Sequence, residues 1–172
     1  MLTKLFIITS ILFSFSAFSA EKRVMTERQV IKVLTTINEG EIEAAEMAEK
    51  KAVHGDVKSY AKTMKSEHEK NKEDTKNLAK KNNFEADESD LAKALKEDAK
   101  RLNKELKDND KANFDRAYVA QQIKMHETAL KTLDEELLPS AKNKELKDHL
   151  TKTRGAVAMH LDHAKELQSK VK

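Results

Sequence analysis

No cysteine occurs among the 172 residues, which excludes a disulfide framework, a thiolate metal site and a lipid-bearing cysteine behind an export signal. One proline and three glycines leave little to interrupt helices, and no stretch alternates β-branched and polar residues as a strand would. Aromatics make up only 5% and tryptophan is missing. No lysine- or arginine-rich patch carries interleaved aromatics, so no nucleic-acid surface is expected. Charge of one sign is also lacking: 33 Lys+Arg stand against 30 Asp+Glu, mixed every few residues as on solvated helix faces. A nucleophile motif, a glycine-rich loop and a paired-acid arrangement are all absent, which ranks an enzyme last among the functions considered.

The one long apolar run lies at the start, from Leu5 to about Phe18. Behind Met-Leu-Thr-Lys and ahead of Ala17-Phe18-Ser19-Ala20, its roughly 14 residues suit a secretory signal and are short for a membrane span of about 20. Ala17 and Ser19 fit the small positions before a cleavage point, so residues 1–19 are expected to be the signal and 20–172 one domain. An uncleaved anchor is the alternative. The expected location is the periplasm or the medium, with loose contact between a basic helix face and the envelope or a membrane surface left open. Nothing in the sequence names a partner or an oligomeric state.

The rest reads as all-α. A first helix from about Met25 to Val53, with Thr26 as its cap, carries the stripe Val30, Leu34, Ile37, Glu41, Ala44/Ala45, Ala48 and Ala52 at the spacing of a buried face. His54-Gly55-Asp56 is a turn, with Gly55 suited to a helix end and Asp56 to the next start. The second helix, to about Asn82, carries Val57, Tyr60/Ala61, Met64, His68, Asn71, Thr75 and Leu78/Ala79 and turns polar at and beyond His68. A third, about Ser89 to Lys107, has a thin leucine-rich stripe and spans about 28 Å, enough to carry the chain back along a bundle. The fourth, from beyond Asp110 to about Leu138, places Asp115, Val119, Ile123, His126, Leu130, Leu133 and Leu137 on one face. Pro139 should end it. The last runs from about Asn143 to Lys170, with His160/Leu161 between Val157 and Ala164.

Four polar residues therefore fall on apolar stripes: Glu41, His68, His126 and His160. At 1.5 Å per residue, Glu41 and His68 lie about 20 Å below the Gly55 turn. If the third helix is a crossover, His126 lies about 22 Å down and His160 about 16 Å down, so all four fall within about one turn of a common level. One carboxylate and three neutral imidazoles suit a single zinc, manganese or iron ion. The alternative is a metal-free network in which the buried groups bond one another. His163, three residues after His160, and Asp115, above His126, are weaker ligand candidates, whose ordinary roles are a solvated side chain and pairing near a helix start. Met64, Met125 and Met159, near histidines, raise copper, which ranks behind the other metals because methionine more often fills cores and adjacent residues diverge. His54 and His149 read as turn and surface residues.

Several segments together resemble a known bacterial secreted family. They are Glu41-Ile42-Glu43-Ala44-Ala45-Glu46-Met47-Ala48, Val57-Lys58-Ser59-Tyr60-Ala61-Lys62-Thr63-Met64 with Glu67-His68, Phe114-Asp115-Arg116-Ala117-Tyr118-Val119 with His126, and His160-Leu161 with Ala164. The family is the domain of unknown function numbered 4142, and the resemblance extends from about Val30 to Leu167. It implies a ferritin-like four-helix bundle with a helical crossover between the second and third long helices, no established activity, and recurrent polar residues at Glu41, His68, Asp115, His126 and His160. Glu67 stands where the family commonly has aspartate. A di-iron centre is not expected, because such sites use two Glu-x-x-His pairs and this sequence has none.

Three functions remain in view. One is an exported bundle that binds a metal ion, with four protein ligands closing the site. Another is a structural or interaction protein of the cell envelope, held by a buried His/Glu network. The third is an enzyme using Glu41 as a base.

Overall fold

The computed structural model describes residues 24–171. The expected signal segment lies outside the described residues. Among these, the elements are helical throughout: α1 (Glu27–Lys51), α2 (Gly55–Lys81), α3 (Asp90–Asp108), α4 (Phe114–Thr132), a π-helical turn (Leu133–Leu137), α5 (Leu138–Ser140) and α6 (Lys144–Gln168). No helix among them is long and apolar enough to cross a membrane.

Local chemistry sets most of the boundaries. Thr26 begins α1 in a capping box, accepting from the Gln29 amide while the Gln29 side chain accepts from the Thr26 amide, which satisfies two of the four free donors at a helix start. Ser89 and Asn143 cap α3 and α6 in the same accepting sense. The α1–α2 turn departs from expectation. Gly55 is the first residue of α2 and has no positive φ, and the cap is His54, whose Nδ1 accepts from the Asp56 amide at 3.3 Å. Pro139 does not stop the fourth helix at Leu138. The chain widens into the π-helical turn just before it and stays helical to Ser140, because an i→i+5 turn makes room for a ring that an α-helix would press against the preceding carbonyl.

Helices α1 and α2 pack as an antiparallel pair, α4 and α6 as another, and α3 crosses from one to the other along the α1–α4 side. This is the four-helix bundle with a helical crossover. The crossover sits close. A Cβ on Gly40 would lie 2.8 Å from the Cβ of Ala99, so the absence of a side chain there lets α3 approach α1. Asn103 secures that approach, donating to the Gly40 carbonyl at 3.3 Å and accepting from Gln121 of α4 at 2.7 Å.

The core is divided. Toward the α1–α2 turn lies a cluster that includes Ala44, Ala48, Tyr60, Met64, Phe114, Tyr118, Val119, Ala164 and Leu167. Toward the opposite end lies another, including Val30, Leu34, Ala129, Leu133, Leu137, Leu146, Leu150 and Val157. Full burial of a leucine or phenylalanine contributes about 1.5–3 kcal/mol, so each half holds its end of the bundle without disulfides. Between them lies a buried polar layer of Asn38, Glu41, His68, Gln122, His126, Thr153 and His160.

Candidate metal centre

Three helices each place one imidazole in this layer. His68 of α2, His126 of α4 and His160 of α6 are 4%, 0% and 6% exposed, and their ring centroids are 5.4–5.8 Å apart in all three pairs. The shared level follows from the crossover: because α3 returns the chain to the α1–α2 turn, α4 descends in the same direction as α2, across the bundle from it, and brings His126 level with His68.

Each ring is bonded on one nitrogen and free on the other. His68 Nδ1 lies 2.9 Å from Asn38 Oδ1. The Asn38 amide nitrogen donates to the Leu34 carbonyl at 3.0 Å and to Asn71 Oδ1 at 2.8 Å, so its oxygen must face His68, and Nδ1 must carry the proton. His126 Nδ1 lies 2.8 Å from the Gln122 carbonyl, which can only accept. His160 Nε2 lies 2.6 Å from Glu67 Oε2, again an acceptor. The remaining nitrogens, His68 Nε2, His126 Nε2 and His160 Nδ1, are buried and have no hydrogen-bond partner. All three are therefore bare lone pairs turned away from water.

One nitrogen from each ring forms a group within 4.8 Å. Nitrogens around an ion at bond lengths of about 2.0–2.1 Å sit about 3.3–3.6 Å apart, so a small inward swing of the rings closes the set. Burial pushes the His68 pKa well below its ordinary value, and the neighbouring His126 and His160 push the same way. Burial lowers His160 too, against the raising effect of Glu67. Neutral rings with outward N–H bonds to fixed acceptors are what metal-ligating histidines show, because the outer bond fixes tautomer and aim.

Glu41 belongs to the layer but not to this group. Its carboxylate is 1% exposed, accepts from Gln122 Nε2 at 2.8 Å, and lies 3.5 Å from His126 Nδ1. That is the bonded edge of the ring, away from the free Nε2. Desolvation raises its pKa, with His126 and Gln122 opposing. The structure thus places Glu41, expected as a fourth ligand, behind His126 and outside the group of three histidines. Level alone cannot reveal which way a side chain is turned about its helix axis.

The weaker candidates are also placed elsewhere. Asp115 accepts from the Val53 amide at 3.1 Å and the His54 amide at 2.6 Å, holding the α1–α2 turn. His163 is exposed and sets its ring against Tyr60, centroids 5.0 Å apart. Met64 is packed in the core toward the α1–α2 turn, Met125 accepts from Gln121, and Met159 is 66% exposed. His149, expected at the surface, is half-buried with Nε2 2.8 Å from Thr75 Oγ1.

Asn38, Gln122 and Glu67, the residues that orient the rings, were not singled out as site residues from the sequence. Asn38 and Gln122 each carried a signal: Leu34, Asn38 and Glu41 share one helix face, and Gln122 lies four residues before His126, where its carbonyl meets the ring.

A cavity of about 340 Å³ enters between α2 and α6 and is lined by His68 and His160 as well as by Leu34, Leu133 and Val157 of the core. A second, of about 130 Å³, lies under the crossover and touches Glu41.

No curated protein matches the chain. Among solved structures, one described as "CopM in the Cu(II)-bound form" has a TM-score of 0.65 at 19% identity, covering 86% of this chain and 99% of its own. At that identity the likeness concerns the fold alone. The profile of one family, described as "Domain of unknown function (DUF4142)", matches residues 14–167, and the chain belongs to it.

Proposed function

We propose that this protein is an exported helical bundle that binds a single divalent transition-metal ion through His68 Nε2, His126 Nε2 and His160 Nδ1, serving metal buffering or sensing. The supporting observation is the convergence of three buried, unpartnered lone pairs, each fixed by a hydrogen bond on the far side of its ring. Three lone pairs facing one another without a donor are costly, and an ion satisfies all three together. Groups that fold for their own sake are more often paired within the protein.

The donor set narrows the metal. With Glu41 turned to the other edge of His126, the cluster is all nitrogen. Manganese and iron(II) sites ordinarily include carboxylates, whereas imidazole suits zinc and copper, with copper(II) the tighter of the two. The description of the structural neighbour also mentions Cu(II). Copper(II) and zinc(II) are therefore the ions proposed, and copper is advanced from its lower place in the sequence-based ranking. Three protein ligands also leave a coordination position open, unlike the closed four-ligand site expected from the sequence.

Calorimetric titration of the metal-free protein with copper(II) and zinc(II) tests this. One equivalent should bind with an apparent Kd tighter than about 1 μM, equivalent to about 8 kcal/mol, and binding should disappear in a His68→Ala, His126→Ala double variant that stays helical. Equal binding by the variant, or none by either protein, would leave the histidines as a metal-free network.

A further inference from the structure

The cavity between α2 and α6 does more than reach the histidine layer. Its wall includes Leu34, Asn71, Ala129 and Val157. These lie one helical turn from Asn38, His68, His126 and His160 respectively, all toward the end of the bundle away from the α1–α2 turn. The cavity is thus bounded by His68 and His160 on the side of the layer away from the α1–α2 turn. The other face is closed by packed side chains, Met64, Tyr60, Tyr118, Val119 and Ala164, each 0% exposed.

We infer that the open coordination position of the bound ion points into this cavity and takes a small anion that donates through oxygen or nitrogen, so the protein binds a metal–anion pair rather than a bare ion. This inference rests on the metal reading above.

Three observations select an anion. A divalent ion on three neutral imidazoles carries two positive charges into a buried layer, and a buried charge is costly unless it is compensated. The nearest carboxylates are already engaged at the rings, Glu41 behind His126 and Glu67 on His160 Nε2. The cavity is lined by two carboxylates, but both are engaged, Asp74 with Lys70 and Glu67 with His160, which leaves the exposed Lys152 and Thr153, whose hydroxyl accepts from Asn71 at 2.8 Å and keeps its own proton to donate, as the groups suited to an anion. The cavity measures about 340 Å³, well above the roughly 10–15 Å³ that one water needs on the same measure. That is ample for azide, bicarbonate or a small carboxylate.

The experiment titrates azide into the full protein loaded with one equivalent of copper(II), following the visible charge-transfer spectrum and the copper electron paramagnetic resonance signal. It is repeated on Ala156→Trp and the milder Ala156→Leu, which fill the cavity without replacing a histidine, with circular dichroism confirming the fold and a copper titration of each variant confirming the site. The expected result is a new saturable band and a shifted resonance in the unaltered protein. Azide affinity should fall about tenfold or more in the filled variants, equivalent to about 1.4 kcal/mol, while copper affinity is retained. A copper signal that azide leaves unchanged would overturn the inference and spare the metal site. An azide response undiminished in both folded variants would overturn the assignment to this cavity. Absence of any copper signal before azide is added would overturn the metal reading and the inference with it.

Discussion

Asn38→Leu separates the metal reading from a merely structural one. The substitution keeps the shape of the side chain and removes its amide. His68 Nδ1–H loses its acceptor at 2.9 Å, and Asn71 Oδ1 loses its donor at 2.8 Å. A stranded buried group costs about 1–3 kcal/mol and the half-buried Asn71 adds about 1 at the low end of that range, so the metal-free protein should lose about 2–4 kcal/mol in urea unfolding. A second effect falls on the site. With no acceptor holding the proton on Nδ1, the His68 ring is free to carry it on Nε2, and the lone pair no longer faces the ion. Loss of such an outer bond typically weakens metal binding about 10–100-fold, or about 1.4–2.7 kcal/mol. Asn38→Asp is the control. It restores an acceptor for His68 but cannot donate to the Leu34 carbonyl, so it should lose stability while keeping most of the affinity for copper(II) or zinc(II). Competition titrations against a chelator measure both variants. If Asn38→Leu and Asn38→Asp bind metal equally well, the tautomer of His68 does not govern the site, and the reasoning from hydrogen bonds to lone pairs is wrong.

Three other outcomes follow from the same geometry. Stability of the metal-free protein should fall with acid: the depressed pKa values of His68 and His160 mean that below about pH 6.5 the unfolded chain binds more protons, and each ring removes up to about 1.4 kcal/mol per pH unit. The raised pKa of Glu41 acts oppositely, lowering stability as pH rises above its ordinary value near 4.5, while the lowered pKa of His149 adds to the effect of the two inner rings, so urea melts should show stability falling as pH falls from about 6 to 5; a flat profile would contradict it. Gly40→Ala should destabilise by about 1–3 kcal/mol, since its methyl would meet Ala99 Cβ at 2.8 Å, while Gly155→Ala, with open space around it, should be neutral or slightly stabilising in thermal unfolding. Asp115→Ala should cost about 2–4 kcal/mol through the stranded Val53 and His54 amides yet leave metal affinity unchanged within about twofold.

The helices were legible because periodicity is a local property, and the length of α3, close to that of one bundle helix, allowed a crossover without requiring it. That crossover is what makes a common level for His68, His126 and His160 follow from residue counts. Orientation was not legible. Glu41 shares the level but turns to the far edge of His126, and a helix rotation of a few tens of degrees decides between the two. Asn38 passed as an ordinary polar residue because the stripe was traced through Ile37, although both flank the same groove. Gly55 and Pro139 carried strong prior meanings that tertiary context overrode. The Asp115 carboxylate fixes the turn at Gly55 from another helix, and a widened π turn lets the chain pass through Pro139.

The central claim is that one ion sits on three convergent lone pairs. Crystals of the protein soaked with one equivalent of copper(II), measured above and below the copper absorption edge, test it directly. The expected anomalous difference map has a single strong peak within about 2.0–2.1 Å of His68 Nε2, His126 Nε2 and His160 Nδ1. Peaks only at surface residues such as His163 or His54, with the inner layer empty or filled by water, would contradict it.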